Sequence, residues 1–327
     1  MDRKTGAPIR KILCIRLRRL GDLITTTPAF RALRTAYPAA RIDVVVNEGF
    51  EPALRGNPDV DHVIVLRAGF TPWLRFVVAA RRMRYDLAVD FQGSPRSFWC
   101  VCGAGAARTA GWRKGRLRDW KYDVTADYPD PRAGIALAAA LGAPDVDARP
   151  ILHTTADDRD WARRCVDGPP GPVVALSVVA RDARKSWPAE KFIGLARRLL
   201  AERGVRLILT YGPGERQQAA VLACHLDRCT VAGFESPAQA AALYARCDLW
   251  IGNDGGPKHM ATAAACPLVM VVGSYWPSRA EHGDDREAWV RPVSPGPGYD
   301  VARVEIDPVF AAATRLLDQR ARSRTVS

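Results

Sequence analysis

The sequence contains no apolar run close to the ~20 residues that a membrane-spanning helix requires. Its first residues, MDRKTGAPIRK, include no apolar segment of the kind found in a secretory signal peptide. It also has no pair of Cys-x-x-Cys units, and its eight cysteines are scattered mostly through apolar segments, which favours small buried residues over disulfides or a metal site. These absences predict a cytoplasmic globular protein.

Excess positive charge is confined to the first part of the chain. Of 327 residues, the first 121 contain 23 lysines and arginines against 10 acidic residues, and the rest contain 25 of each. The whole net charge of +13 therefore belongs to this first part. Such a field attracts nucleic acid, an anionic membrane surface or a phosphorylated ligand. A solvated arginine-rich surface is the alternative.

Apolar runs rich in Val, Ile and Leu alternate with helical segments, as in parallel sheets covered on both faces. The clearest linker is DGPPGP at 167–172. We therefore predict an α/β protein of two doubly wound domains, 1–167 and 168–327, with a cleft between them. The predicted strands are 11–17, 41–47, 60–66, 85–91, 108–112, 173–179, 205–211, 230–232, 249–253, 268–273 and 288–293, and the predicted helices include 26–37, 71–83, 94–103, 131–142, 155–167 and 308–322.

The segment RLRRLGDLITTTP, residues 16–28, follows the first predicted strand, where ligands collect beyond the carboxyl ends of parallel strands. Asp22 lies near the start of the helix that contains Pro28. Two interpretations are open: a carboxylate that stabilises the helix N-terminus, or a general base that accepts a proton from an acceptor hydroxyl. We expect the neighbouring arginines to lower the pKa of Asp22 and to bind acceptor phosphates.

A second motif, IGNDGGPKHMA at 251–261, ends a strand and starts a helix. Its two glycines and Pro257 leave main-chain N–H groups for a phosphate, and Lys258 or His259 would add charge or a donor. It is neither a Walker loop nor a Gly-x-Gly-x-x-Gly fingerprint. A surface or core histidine is the alternative for His259.

Two shorter motifs follow other strands of the second domain. RDARKSWP, residues 181–188, offers three cations that suit a diphosphate, with a surface turn as the alternative. YGPGE, residues 211–215, ends in Glu215, which is able to accept hydrogen bonds from a ribose or to cap its helix.

Together these segments resemble glycosyltransferase family 9, the bacterial lipopolysaccharide heptosyltransferases. The resemblance covers nearly the whole chain and rests on I-R-L-x-x-x-G-D-x-x-x-T-x-P at 15–28, K-x-W-P at 185–188 and G-N-D-x-G-x-x-H at 252–259, with YDLAVDFQGSPR at 85–96 as a further likeness. It implies a GT-B architecture of two Rossmann-like domains, whose last helix is able to return to the first domain. It also implies an inverting reaction with no metal or cofactor.

The resemblance assigns roles to individual residues. Asp22 matches the catalytic base, Lys185 a lysine on the donor diphosphate, and Glu215 an acid near the donor ribose. Where relatives often carry Ser or Thr before the lysine motif, this chain has Arg181 as a substitute, and Gly255 stands where Thr or Ser is usual. The diphosphate loop is matched by Asp254, Gly255, Gly256 and His259.

The basic first domain is expected to face an anionic glycolipid acceptor at the inner membrane, with ADP-heptose as the favoured donor. Its acceptor-site candidates are Arg18, Gln92, Arg96 and Arg113. The segment 111–121, which contains five cations and the tryptophans Trp112 and Trp120, suits phosphate contact and interfacial anchoring, or is a surface loop.

Three alternatives remain beside this prediction. They are a different nucleotide-sugar donor, a non-catalytic GT-B binding protein, and a nucleic-acid-binding protein. No helix-turn-helix, zinc-finger or RNP pattern supports the last of these, so we expect no nucleic-acid partner. The sequence has no Gly-x-Gly-x-x-Gly fingerprint after its first predicted strand, which argues against a dinucleotide-dependent oxidoreductase.

Overall fold

A computed structural model describes residues 8–115, 119–127, 133–178, 182–226, 228–274, 286–292 and 300–326. The chain divides into two compact units, Met1–His153 and Thr154–Ser327. Each unit holds a parallel sheet with helices between most successive strands, which confirms the predicted α/β class. Within the described ranges, no helix combines the length and apolar character needed to cross a bilayer.

The first sheet has the strand order β3-β2-β1-β4-β5-β6, with every pairing parallel. In the central strand β1, Ile12 lies opposite Ile42 of β2 and Leu87 of β4, and all three are fully buried. Five strands fall where apolar runs predict them, whereas the short β6 has too few apolar residues to be recognised. The bounds are β1 Lys11–Ile15, β2 Arg41–Asn47, β3 His62–Leu66, β4 Leu87–Asp90, β5 Arg108–Trp112 and β6 Val124–Ala126.

The helices of the first unit mostly match the prediction, but α1 begins at Leu20 rather than at Thr26. Pro28 lies inside it and supplies no N–H group to the carbonyl of Ile24. The Thr27 hydroxyl donates to that carbonyl at 2.8 Å instead, so the helix continues through the proline. The bounds are α1 Leu20–Ala36, α2 Phe70–Met83, α3 Pro95–Ala104 and α4 Ala133–Ala140.

The second sheet has the order β12-β11-β10-β7-β8-β9, again with every pairing parallel. Its strands are β7 Val173–Ser177, β8 Arg206–Tyr211, β9 Cys229–Gly233, β10 Leu249–Asn253, β11 Leu268–Val271 and β12 Glu287–Val290. Its helices are α5 Ala156–Cys165, α6 Ala189–Arg203, α7 Arg216–Ala223, α8 Pro237–Tyr244, α9 Gly256–Ala263 and α10 Ile306–Val326. In each sheet the strand order reverses beside the first strand of that sheet, between β1 and β4 and between β7 and β10. Such a topological switch point is the usual ligand position of doubly wound folds.

The second compact unit begins at Thr154. The glycine and proline content of 167–172 predicts a domain boundary after residue 167 instead. Helix α5, which precedes that linker, packs against α8 of the second unit. Helix α10 packs against α6 and against strands β10, β11 and β12. Both helices therefore contribute to the second unit.

Candidate functional site

Asp22 lies in the first turn of α1, just beyond the carboxyl end of β1. The contact of its carboxylate is with Arg16, whose Nη2 lies 3.2 Å from Asp22 Oδ2. Arg16 is almost fully buried, and its Nη1 donates to the carbonyl of Phe91 after β4 at 2.5 Å. The Asp22 side chain keeps 36% of its surface exposed, so the carboxylate is both anchored and accessible.

Three donors also fix the main chain of Asp22. Its carbonyl accepts hydrogen bonds from the hydroxyls of Thr25 and Thr26, at 3.1 and 2.7 Å, and from Arg16 Nε at 3.3 Å. The residue before the helix, Arg19, has φ +61°, a left-handed conformation that costs a residue with a side chain about 1–3 kcal/mol. The turn is therefore held in one geometry, which is what a group that acts on a bound substrate requires.

Burial raises the pKa of Asp22, and this effect outweighs the opposing charges of Arg16 and Arg19. Arg16 and Arg19 do lower the pKa, as the sequence predicts, but burial sets the net direction of the shift. The physical reason is that a partly desolvated carboxylate loses more from the removal of water than it gains from two nearby cations. A raised pKa makes Asp22 a stronger base than an ordinary aspartate.

Two predicted acceptor residues meet at the same edge of the first sheet. Gln92 Oε1 accepts a hydrogen bond from the main-chain N–H of Arg18 at 2.8 Å, which joins the segment after β1 to the segment after β4. The N–H groups of Gln92 and Gly93 in turn donate to Asp90 Oδ1 at 2.9 and 2.8 Å. Asp90 is fully buried and also accepts from Ser97 and Tyr122. Burial raises its pKa, against the effect of these hydrogen bonds. Asp90 is thus a structural hub that sequence analysis missed.

The other two acceptor candidates make local contacts. Arg96 donates to Asn47 Oδ1 at 3.2 Å and to the carbonyl of Arg67 at 2.8 Å, so it joins the end of β2 to the segment after β3. Arg113 forms an exposed ion pair with Asp127 at 3.3 Å. Both residues follow the carboxyl edge of the sheet, but the contacts described do not connect them to Asp22.

Trp112 is not an interfacial anchor, and this part of the prediction is wrong. It is 1% exposed, and its indole Nε1 donates to the carbonyl of Phe91 at 3.0 Å. A Cβ on Gly93 would lie 2.9 Å from the Trp112 ring, so the ring packs directly on the main chain after β4. Trp112 is a core residue because it is the last residue of β5, which lies between β4 and β6, whereas Trp120 is 75% exposed.

In the second unit, two separate motifs meet. Lys185 Nζ lies 2.6 Å from Asp254 Oδ2, and the two side chains are 25% and 9% exposed. The preceding residue, Asn253, accepts from the N–H of Trp187 at 2.8 Å and donates to the carbonyl of Val178 at 2.9 Å. The end of β10 therefore holds the loop after β7, and Lys185 is positioned at the carboxyl edge of the second sheet.

The glycines of the diphosphate motif leave open space. Gly255 precedes α9 with φ −169°, an extended conformation that any residue adopts, and a Cβ there would meet only Pro257 at 3.7 Å. A Cβ on Gly256 would meet no atom within 4 Å. Neither packing nor backbone conformation requires glycine, so the first N–H groups of α9 are left approachable, as anion binding at a helix N-terminus requires.

His259 is partly exposed in the first turn of α9, whereas Lys258 is 3% exposed. Lys258 Nζ lies 4.0 Å from Glu287 Oε2 and 5.3 Å from the centre of the Trp289 ring. Burial lowers the pKa of Lys258, against the charges of Glu287 and Asp254. No pattern in the sequence indicates this buried pair.

Glu215 precedes α7 and closes its own turn. Its Oε2 accepts from the N–H of Gly212 at 2.9 Å, and its N–H donates to the Gly212 carbonyl at 3.1 Å. The other predicted donor residue, Arg181, lies outside the described residues.

Comparison with known proteins identifies the class. The model of glycosyltransferase family 9 (heptosyltransferase) matches residues 73–291. The lipopolysaccharide heptosyltransferase 1 of Pseudomonas aeruginosa is 28% identical over 287 residues, which cover 80% of this chain and 78% of the relative. The lipooligosaccharide heptosyltransferase 2 of Haemophilus ducreyi is 30% identical over 298 residues, which cover 82% and 84%. The structure of the E. coli ADP-heptose LPS heptosyltransferase II aligns with a TM-score of 0.79 at 24% identity, over 95% of this chain and 99% of that one.

The two doubly wound units, each with a parallel six-stranded sheet, have the GT-B architecture, which the E. coli structure shares. The coverage of the family model and of the H. ducreyi relative makes the assignment specific. The chain belongs to glycosyltransferase family 9. The resemblance predicted from its motifs is thereby confirmed, although the family model begins after Asp22, so the role of that residue depends on its own geometry.

Proposed function

We propose that this protein transfers heptose from ADP-heptose to a lipopolysaccharide inner-core acceptor or a related surface glycan, with inversion at the anomeric carbon. Three relatives support this donor and acceptor by their names: a lipopolysaccharide heptosyltransferase, a lipooligosaccharide heptosyltransferase and an ADP-heptose LPS heptosyltransferase. The observation that carries the proposal is Asp22, an accessible carboxylate whose pKa burial raises and whose position Arg16 fixes.

In the proposed reaction, Asp22 accepts the proton of the acceptor hydroxyl as its oxygen attacks the anomeric carbon. A carbon–oxygen bond forms to the acceptor, the bond from the sugar to the diphosphate breaks on the opposite face, and ADP leaves with the bonding electron pair. Negative charge therefore grows on the diphosphate. Lys185 and the N-terminus of α9 are the groups we assign to stabilise it.

The remaining donor residues have subsidiary roles in this proposal. Asp254 orients Lys185 through their 2.6 Å contact, and the space beside Gly255 and Gly256 admits the phosphate oxygens. His259 offers a further donor from the same turn. Arg181 and Glu215 are assigned to the diphosphate and the ribose respectively, by the family resemblance.

The acceptor is assigned to the first unit, where the excess positive charge lies. Arg18, Gln92, Arg96 and Arg113 follow the carboxyl edge of its sheet, and cations there suit the phosphates of an anionic glycolipid. We place the reaction at the cytoplasmic face of the inner membrane, with the protein associated peripherally.

The test combines ligand binding with catalysis. A ligand that binds only the folded state raises its melting temperature, so we expect ADP and ADP-heptose, but neither UDP nor GDP, to stabilise the protein. With ADP-heptose and a lipid A–core acceptor, Asp22→Asn should lower kcat by about 10²–10⁴-fold, the contribution of a general base. The variant should keep the thermal shift with ADP, because the substitution is not in the donor site.

Unchanged turnover by Asp22→Asn would remove Asp22 from the proposed role. Stabilisation by a nucleotide other than ADP would replace the donor. Nucleotide binding without transfer to any acceptor would indicate a non-catalytic GT-B protein.

A further inference from the structure

The first unit exposes large apolar side chains on one side of two neighbouring helices. On α2, Phe70, Leu74 and Val78 are 72%, 44% and 43% exposed, and on α3 Trp99 is 59% exposed. Single exposed apolar residues are common on protein surfaces. Phe70, Leu74 and Val78, however, are four residues apart and therefore share one face of α2. Together with the tryptophan on α3, they form a group rather than single exposed residues. We name these four residues the α2–α3 apolar surface.

The two helices bring the four side chains together. A Cβ on Gly103 of α3 would lie only 2.5 Å from Val77 of α2, so the helices touch at this level. Trp99 precedes Gly103 by one helical turn on the same face of α3. Because both helices follow parallel strands and run in the same direction, the turn of α3 that holds Trp99 lies level with the first turns of α2, which hold Phe70 and Leu74. The exposed apolar side chains therefore belong to neighbouring turns of two helices in contact.

The two helices of this surface carry charge of one sign. Neither α2 nor α3 contains an acidic residue. Arg75 and Arg82 are exposed and, being seven residues apart, form a second row along α2 beside the apolar one. A helix with an apolar row, adjoining cations and an aromatic residue is typical of one that lies in the interface of an anionic bilayer.

We propose that the α2–α3 apolar surface docks the protein on an anionic lipid bilayer. Phe70, Leu74, Val78 and Trp99 enter the boundary between headgroups and acyl chains, and Arg75 and Arg82 contact lipid phosphates. The surface begins where α2 follows the carboxyl end of β3, the same edge of the sheet that carries Asp22. A lipid-anchored acceptor is thereby presented to that edge, and this last step depends on the proposed function.

The test uses flotation of the full-length protein with vesicles of phosphatidylethanolamine and phosphatidylglycerol, and with vesicles of phosphatidylcholine alone. We expect binding to the anionic vesicles only. The pair Leu74→Ser with Val78→Ser should weaken partitioning by about tenfold or more, and the pair Arg75→Gln with Arg82→Gln by roughly fivefold per charge. Brominated lipid should quench the wild type more than Trp99→Phe.

Matched controls come from the second unit. Val221→Ser changes an aliphatic residue that is 60% exposed on α7, and Arg164→Gln with Arg303→Gln removes two exposed charges. These variants should float like the wild type. Equal flotation of the Leu74 and Val78 variant, or a concentration-dependent dimer that this variant abolishes in sedimentation velocity, would overturn the proposal.

Activity separates this inference from the proposed function. The Leu74→Ser and Val78→Ser variant should retain wild-type turnover on a deacylated, water-soluble acceptor and lose turnover only on acceptor embedded in vesicles. Equal loss on both acceptors would overturn the docking role. Vesicle binding that depends on these residues, in a protein that transfers no sugar to either acceptor, would support the surface and reject the proposed function.

Discussion

The contact between Lys185 and Asp254 predicts that the two residues act as one unit in catalysis. Lys185→Gln removes the charge proposed to meet the leaving diphosphate, and we expect kcat to fall by about 10²–10³-fold, which is about 2.7–4 kcal/mol for one preorganised donor. Asp254 is 9% exposed and 2.6 Å from Lys185 Nζ, so Asp254→Asn should act through the misplacement of Lys185 and lower kcat by roughly tenfold.

The double variant distinguishes positioning from independent action. In the Lys185→Gln background, Asp254→Asn should lower kcat by less than about twofold, which gives a coupling energy of about 1 kcal/mol. The assay is the initial rate of ADP release at saturating donor and acceptor. Losses that multiply in the double variant would refute the reasoning, because they would show that Asp254 contributes without Lys185.

Arg184 provides the matched control. It is adjacent to Lys185 and pairs with Asp182 at 2.8 Å, but its side chain is 67% exposed. Exposed pairs of this kind contribute about 0–1 kcal/mol, so Arg184→Gln should change kcat by no more than about threefold. A loss as large as that of Lys185→Gln would show that any charge removed from this loop impairs the reaction.

Three further predictions follow from buried groups. Wild-type kcat should decrease as the pH falls through the pKa of Asp22, because the base must be ionised. Burial raises that pKa, so the decrease should begin at a higher pH than for an ordinary aspartate. A pH–rate profile without this acid limb would contradict the assignment. Lys258→Met should lower the free energy of unfolding by about 3–5 kcal/mol in urea titrations, because Glu287 is left buried without its cation. Adding Glu287→Gln to this variant should restore part of the lost stability. An unchanged free energy of unfolding in Lys258→Met would show that the two residues do not stabilise the protein as a pair. Thr27→Val should lower the free energy of unfolding by about 1–3 kcal/mol, because the buried hydroxyl bonds to two main-chain groups. At the exposed position, Thr35→Val should lower it by under about 0.5 kcal/mol. Equal losses would show that burial is not the cause.

The strands could be predicted from sequence because a parallel strand buried on both faces is an apolar run, as β1 and β2 are. The start of α1 could not, because threonines and Pro28 disfavour a helix locally. The bonds that permit this helix involve the Thr27 hydroxyl and a segment far along the chain, since Ile151 donates to the same hydroxyl at 2.9 Å. Tertiary contacts of this kind leave no local pattern.

The candidate site was predicted where a motif fixes the main chain. Lys185 and Asp254 follow different strands, and the rule that ligands collect beyond the carboxyl ends of strands brings them together. Arg16, the partner of Asp22, was missed, because three arginines precede that carboxylate and only the fold decides which one turns inward. Lys258 was missed for the same reason: one position separates it from His259, and the packing of α9 decides which of the two is buried.

The open space at Gly255 and Gly256 has a consequence for protein engineering. Since backbone angles at Gly255 suit any amino acid and no neighbouring atom crowds either Cβ position, we expect a small side chain there to cost little in folding. Because the proposed role of this turn is to hold the diphosphate, which nucleotide-sugar donors share, we expect a serine or threonine at 255 to change how tightly a donor binds rather than which donor is chosen.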